Sequence, residues 1–342
     1  MKKYISINTS KRQQKALTAA IVSMFLSACG GGGGGTVPTT STPTPTTPAT
    51  PAATPFTSWS AVTNGSTVMV PGMSQEASWT NVPVSSITPT PAGVDTAASS
   101  FTETLNSSGA ITKVVIASPT GSVTFDTAAG ATIVPIAIDP TTTIDLAKNN
   151  SAGTIAVAAD PIAQGWNYQS FGMWETGGLT KTGGLTTSGY VGVMSVGAPT
   201  AGTAIPATGT ATFTGKSIGF YTDATGVGHG ALSDVSVNAD FGARTLALSS
   251  SGTVTIDNYV KNATTSPAPN LNLTGTLSYA AGTNSFAGNL TTSGGTPLTG
   301  TSTGRFYGPS AQELGGVFIL KAGSGVETYG GAYGAKRGAI AP

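Results

Sequence analysis

Gly300-Thr301-Ser302-Thr303-Gly304 fits the G-x-S-x-G spacing that lifts a serine nucleophile on a sharp strand-to-helix turn in acyl-transfer enzymes. The flanking residues predict a strand entrance instead, and a serine nucleophile needs a base within hydrogen-bond reach. The chain has one histidine, His229. In a sequence so rich in serine, threonine and glycine, a chance match is the expected reading of the motif. His229 sits in GVGHGA (226–231), which resembles a dinucleotide loop in its glycines but precedes LSDVSV, a strand and not a helix. It therefore reads as a hairpin loop. An imidazole there is either an exposed loop residue or a haem-iron ligand with methionine or tyrosine as the second ligand. No His/Asp/Glu cluster marks a structural metal site. So few carboxylates beside a single histidine make an enzyme the least supported class.

Composition narrows the field further. The 15 basic and 14 acidic residues leave a formal charge of +1, and charged residues are only 8% of the chain. A nucleic-acid binder needs a basic stripe to displace counterions from phosphates, and no Lys/Arg cluster occurs beyond the extreme N-terminus. Nucleic acid is excluded as a partner. The same scarcity of charge argues against electrostatic steering as the main source of affinity for a protein ligand. At 342 residues the chain can bury a sizeable core, and a single cysteine permits no intramolecular disulfide.

That cysteine belongs to the N-terminus. MKKYISINTSKRQQK is a basic leader and ALTAAIVSMFLSA an apolar stretch too short to span a bilayer as a helix, the pattern of a secretory signal over 1–28. Leu26-Ser27-Ala28-Cys29 resembles the lipobox of bacterial lipoproteins, which implies cleavage before Cys29 and acylation of that residue. Gly30 stands where an aspartate would imply retention at the inner membrane, so the resemblance implies a lipid anchor in the outer membrane. Residues 29–55 continue as six glycines and a Thr/Pro-rich run, a flexible then extended tether that buries nothing. Such a spacer carries a domain some tens of ångströms from the lipid.

From Phe56 onward the pattern is β. Short alternating runs end at Gly, Asn, Pro or Asp, and hardly any segment places apolar residues at helical spacing. In the second half the spacing predicts strands at 208–215, 217–223, 233–240, 243–250, 252–258, 271–279, 284–290, 300–307, 315–321 and 326–335. Turns fall at ADFGAR, SSSGT, AAGTN and TSGGTP. Strands this numerous and closely connected must hide their edges, and a closed antiparallel barrel does so. The first half is less regular. Its aromatic concentration, GWNYQSFGMWE (165–175), is either a core strand alternating sides or an exposed binding surface.

Three collinear stretches carry a family resemblance. They are SVGAPTAGTAIPATGTATFTGKSIGFY (195–221), SDVSVNADFGARTLALS (233–249) and GRFYGPSAQELGGVFIL (304–320), closed by YGGAYGAKR (329–337). Together they resemble the transferrin-binding-protein-B-like β-barrel of Gram-negative surface lipoproteins. The resemblance implies an all-β lobe, with a β-rich handle domain over 56–205 and an eight-stranded antiparallel barrel over 206–342. There is room for one lobe, where the transferrin-binding founder has two. It implies a non-enzymatic surface receptor for a host or environmental iron or haem carrier, passing nutrient to a TonB-dependent receptor. Direct haem binding through His229 is the second expectation, and an adhesion or immune-evasion role the third. Recognition would use loop shape and aromatic side chains, with Trp166, Tyr168, Trp174 and Tyr190 as candidates. TGRFYG and VFILKA read as paired strands joined by a turn or short helical loop begun by Pro309, so that Phe306 or Tyr307 and Phe318 fill the barrel. Glu313 either braces that turn, through backbone N–H groups or Arg305, or meets a ligand.

Overall fold

The computed structural model describes residues 54–82, 84–95, 99–149, 154–177, 187–257 and 262–342. The expected signal, Cys29 and nearly all of the tether lie outside the described residues. Threonine, valine and isoleucine favour the pleated, half-buried surface of a strand, and strands make up the regular structure apart from short 3₁₀ turns.

The first half is one curled sheet. Its strands are β1 (Thr54–Pro55), β2 (Thr67–Val82), β3 (Val84–Asp95), β4 (Ser100–Leu105), β5 (Ile111–Ser118), β6 (Gly121–Asp126), β7 (Thr132–Asp139), β8 (Thr142–Asn149), β9 (Thr154–Ala159), β10 (Gln169–Glu175) and β11 (Thr187–Gly197). They pair in the order β6-β5-β4-β2-β11-β10-β9-β8-β7, with β1 and β3 also on β2.

The second half closes on itself. It comprises β12 (Thr210–Thr222), β13 (Gly228–Asp240), β14 (Thr245–Ile256), β15 (Thr265–Pro267), β16 (Leu273–Tyr279), β17 (Ser285–Thr292), β18 (Thr299–Tyr307), β19 (Glu313–Lys321) and β20 (Thr328–Arg337). Strand β12 pairs with both β13 and β20, and β13 pairs with β14, so eight strands form a ring. Strand β15 lies outside it, on β14 alone. The ring is the expected eight-stranded antiparallel barrel, reached with fewer breaks than the sequence suggests. Two pairs of expected segments fuse, 208–215 with 217–223 into β12 and 243–250 with 252–258 into β14. The SSSGT stretch is therefore no turn. Gly252, at φ 61°, sits where the β13–β14 register shifts between Leu232 and Asp234, so an extra residue bends the strand without ending it.

An eight-stranded ring leaves an interior that side chains alone can fill. Phe306 is its hub, with ring centroids 5.2 Å from Tyr279, 5.3 Å from Phe286, 6.2 Å from Phe213 and 6.5 Å from Phe241. Further along, Phe318 meets Tyr329 edge-on at 5.0 Å. The dense aromatic span near the end of the chain thus supplies the barrel core from β18 and β19, as the alternation predicts.

The sheet docks on the barrel through β10 and β11, which contact β19 and β20. Phe171, Met173 and Val193 pack there with Ile218, Phe220, Val317, Ile319 and Ala332 of the barrel wall. Glycine makes the approach possible. A Cβ on Gly334 would collide with the Gln169 amide and the Phe171 ring, and one on Gly315 would stand 2.5 Å from Ser195 Oγ.

Candidate functional site

Two places bring functional side chains together, the seam between sheet and barrel and one rim of the barrel. At the seam the turn before β10 is held from the barrel side. Glu313, only 1% exposed, accepts hydrogen bonds from Asn167 N at 2.7 Å and Tyr168 N at 2.9 Å. Of the readings open in the sequence, the brace through backbone N–H groups is the one observed, and those groups lie in the sheet, not in its own turn. Burial pushes the Glu313 carboxyl up, while those backbone donors and the Lys336 charge pull it back part of the way. Lys336 Nζ donates to Gly165 O at 2.8 Å, so adjacent barrel strands grip both sides of one turn. Trp59 completes the clasp from below, its N donating to Asn167 O at 2.8 Å and its Nε1 to Gln169 O at 3.0 Å.

Tyr307 faces outward from β18 into the same seam, sharing a buried hydrogen bond with Ser195 Oγ at 3.0 Å. Burial pushes its phenol up to about 12, with the Ser195 hydrogen bond opposing that shift. The neighbouring linker is fixed as well, since Thr200 N donates to Phe306 O and Gly308 N to Ala198 O.

The four aromatic candidates separate by exposure. Trp166 is 5% exposed and packs on Phe171 at 5.3 Å; Trp174 is 1% exposed on the opposite face of the sheet. Their stretch is the core strand alternating sides. Tyr168 is half-buried, with its ring over Gly308, and Tyr190 is exposed on β11. Tyr168 and Tyr190 are the two of these rings that a partner can reach.

His229 belongs to the rim, at the start of β13 opposite Tyr221. Its Nδ1 is 2.9 Å from Asp257 Oδ1 and its Nε2 3.7 Å from Asp223 Oδ2. The imidazole lies on the Tyr221 ring at 6.2 Å, and Tyr221 Oη donates to Glu327 Oε1 at 2.5 Å. Sequence reading missed Asp223, Asp257 and Glu327. Asp223 was accessible from the hairpin register of YTDATGVGHG; the other two lie at strand ends distant in sequence and leave no local signal.

The remaining candidate chemistry dissolves in the fold. Ser302 points into the barrel and shares a hydrogen bond with Tyr333 Oη at 3.0 Å, both groups buried. The one histidine pairs with carboxylates, not with a nucleophile. Among the described residues no group of three or more His, Cys, Asp or Glu side chains could hold a metal ion.

Fold and site define an all-β architecture, a curled sheet locked onto a closed eight-stranded barrel. Residues 205–337 match the family model for the C-lobe and N-lobe β-barrels of transferrin-binding protein B, so the barrel half of the chain is similar to those barrels. Solved structures with a similar chain include a Trp-176-Ala mutant of transferrin-binding protein B from Haemophilus parasuis Hp5. It is 11% identical, with a TM-score of 0.39, over 78% of this chain and 76% of that one. An isotype 1 transferrin-binding protein B from serogroup B Neisseria meningitidis is 18% identical, with a TM-score of 0.42, over 75% and 46%. A protein described as a surface lipoprotein is 14% identical, with a TM-score of 0.39, over 78% and 98%. Comparison with curated proteins found no match.

Proposed function

We propose that this chain is a non-enzymatic surface lipoprotein that binds a macromolecular ligand, an iron- or haem-carrier protein of a host or of the environment. The observation that carries this reading is the TbpB-like barrel over 205–337. In this reading 56–205 is the handle and 206–342 the barrel of one lobe. Cys29 is the lipid anchor in the outer membrane, 30–55 the tether, and a TonB-dependent receptor the recipient of the cargo. Tyr168, Tyr190 and the barrel rim with His229 are the surfaces offered to the ligand; Trp166 and Trp174 act beneath them as core.

Direct haem capture through His229 is less well supported. Each imidazole nitrogen faces a carboxylate, and the stacked Tyr221 occupies one face of the ring. The test is binding of the soluble 56–342 protein to immobilised transferrin and haemoglobin, run beside a haemin titration that follows the Soret band. Saturable binding of a carrier protein that weakens on Tyr190→Ala supports the proposal. A stoichiometric Soret shift lost in His229→Ala, without carrier binding, replaces it with haem capture.

A further inference from the structure

We propose that His229 is a proton-operated clasp that ties the Asp223–Val227 hairpin loop to the Asp257 end of β14 at one rim of the barrel. Asp223 has two separate tasks. Its Oδ1 accepts from Thr225 N, Thr225 Oγ1 and Val227 N, at 2.9, 2.7 and 2.9 Å, which folds the loop. Its Oδ2 faces His229 Nε2 at 3.7 Å. Burial raises the Asp223 carboxyl, yet those donors outweigh it and hold the group below the usual carboxylate range, so it remains an anion near neutrality.

The second carboxylate settles which nitrogen keeps its proton. Asp257 Oδ1, at 2.9 Å from Nδ1, is the closer acceptor and selects the Nδ1–H tautomer of a neutral ring. Contact with Asp223 then depends on a second proton at Nε2. With that proton, one imidazolium bridges two carboxylates from separate elements; without it, a lone pair faces an anion and the loop loses its hold. The titratable groups facing the ring are Asp223 on the loop, Asp257 just past the end of β14 and Tyr221 on β12. Glu327 on the β19–β20 connection stands behind the Tyr221 phenol.

With the ring doubly protonated both carboxylates hold it, and loss of the Nε2 proton opens the loop side. Both carboxylates are part-exposed or exposed, at 31% and 81%, so the effect is a bias and not a lock. Loop-amide protection should fall by about two- to fivefold on opening, in line with a screened ion pair. The loop carries Val227, 46% exposed, so the proton adjusts how firmly an apolar contact is presented.

A sole histidine makes the experiment direct, because its ring protons give one resonance series. Amide shifts of Thr225, Val227 and Asp257 would be followed with the His229 ring from pH 5 to 8.5 in the free 56–342 protein, with hydrogen exchange corrected for its intrinsic pH dependence. The Thr225 and Val227 amides are expected to titrate with the ring and lose protection as it deprotonates. In His229→Gln the inflection should vanish. Loop amides indifferent to the ring, or an inflection that survives in His229→Gln, would overturn the clasp. Neither readout requires a ligand.

Discussion

Replacing Glu313 tests whether the barrel holds the turn before β10. Alanine would leave Asn167 N and Tyr168 N without their acceptor. Hydrogen bonds to a charged acceptor contribute about 1.5–3 kcal/mol each, and these part-buried donors belong at the lower end. Loss of both costs about 3 kcal/mol, from which removing the buried carboxylate's desolvation returns a fraction, so Glu313→Ala should lower stability by about 2 kcal/mol. Glutamine keeps one acceptor and carries no charge, so its cost should stay near 1 kcal/mol or below. The sign with pH follows from the raised carboxyl. Protonation is easier in the folded state, so the charge-related cost is absent at low pH and appears as pH rises through the folded-state titration. Glu313→Gln should therefore compare best with wild type at neutral pH and worse as pH falls. Urea unfolding gives the free energies, and hydrogen exchange at 165–170 locates the change. Unaltered protection of the Asn167 and Tyr168 amides in the alanine variant would refute the brace, whatever happens to global stability.

Glu175, at the end of β10, has its carboxyl pushed up to about 7 by burial. Wild-type stability should fall as pH rises through about 7, by at most about 3 kcal/mol, and Glu175→Gln should remove that slope in urea unfolding at pH 5 and 8.5. Gly334→Val should strike the Gln169 amide and Phe171 ring, costing about 3 kcal/mol and exposing the β10 side of the seam to protease. A variant of wild-type stability would show that the two halves can separate freely there. Burial pushes the Tyr307 and Tyr329 phenols up to about 12 and Tyr333 still higher. Absorbance titration should leave these three un-ionised until the protein unfolds.

The barrel was legible because its alternation is local. TGRFYG and VFILKA place Phe306 and Phe318 inside by counting residues two at a time, and each hairpin announces its turn. Gly252 misled because a bulge and a turn draw on the same residue, and what separates them is the partner strand. The role of Glu313 lay beyond local reading: its donors are 146 and 145 positions away. The aromatic run at 165–175 showed its alternation but not its depth, since burial of Trp174 comes from the curled sheet and that of Trp166 from packing on Phe171. At the rim, the histidine was visible and Asp223 lay within reach of its hairpin register, whereas Asp257 left no local signal.

Pairing of β12 with β20 sets an order of events. Phe213 lies beside Arg337 in the ladder, so the ring cannot shut until the last strand arrives. Contacts this distant in sequence are slow to form, because the intervening chain must give up its freedom first. The wall that receives β10 and β11 is built from β12, β19 and β20, hence it comes into being only with that final step. Until then Phe171, Met173 and Val193 have no surface to meet. The earlier half of the chain must wait, with an apolar face uncovered, for the later half to finish.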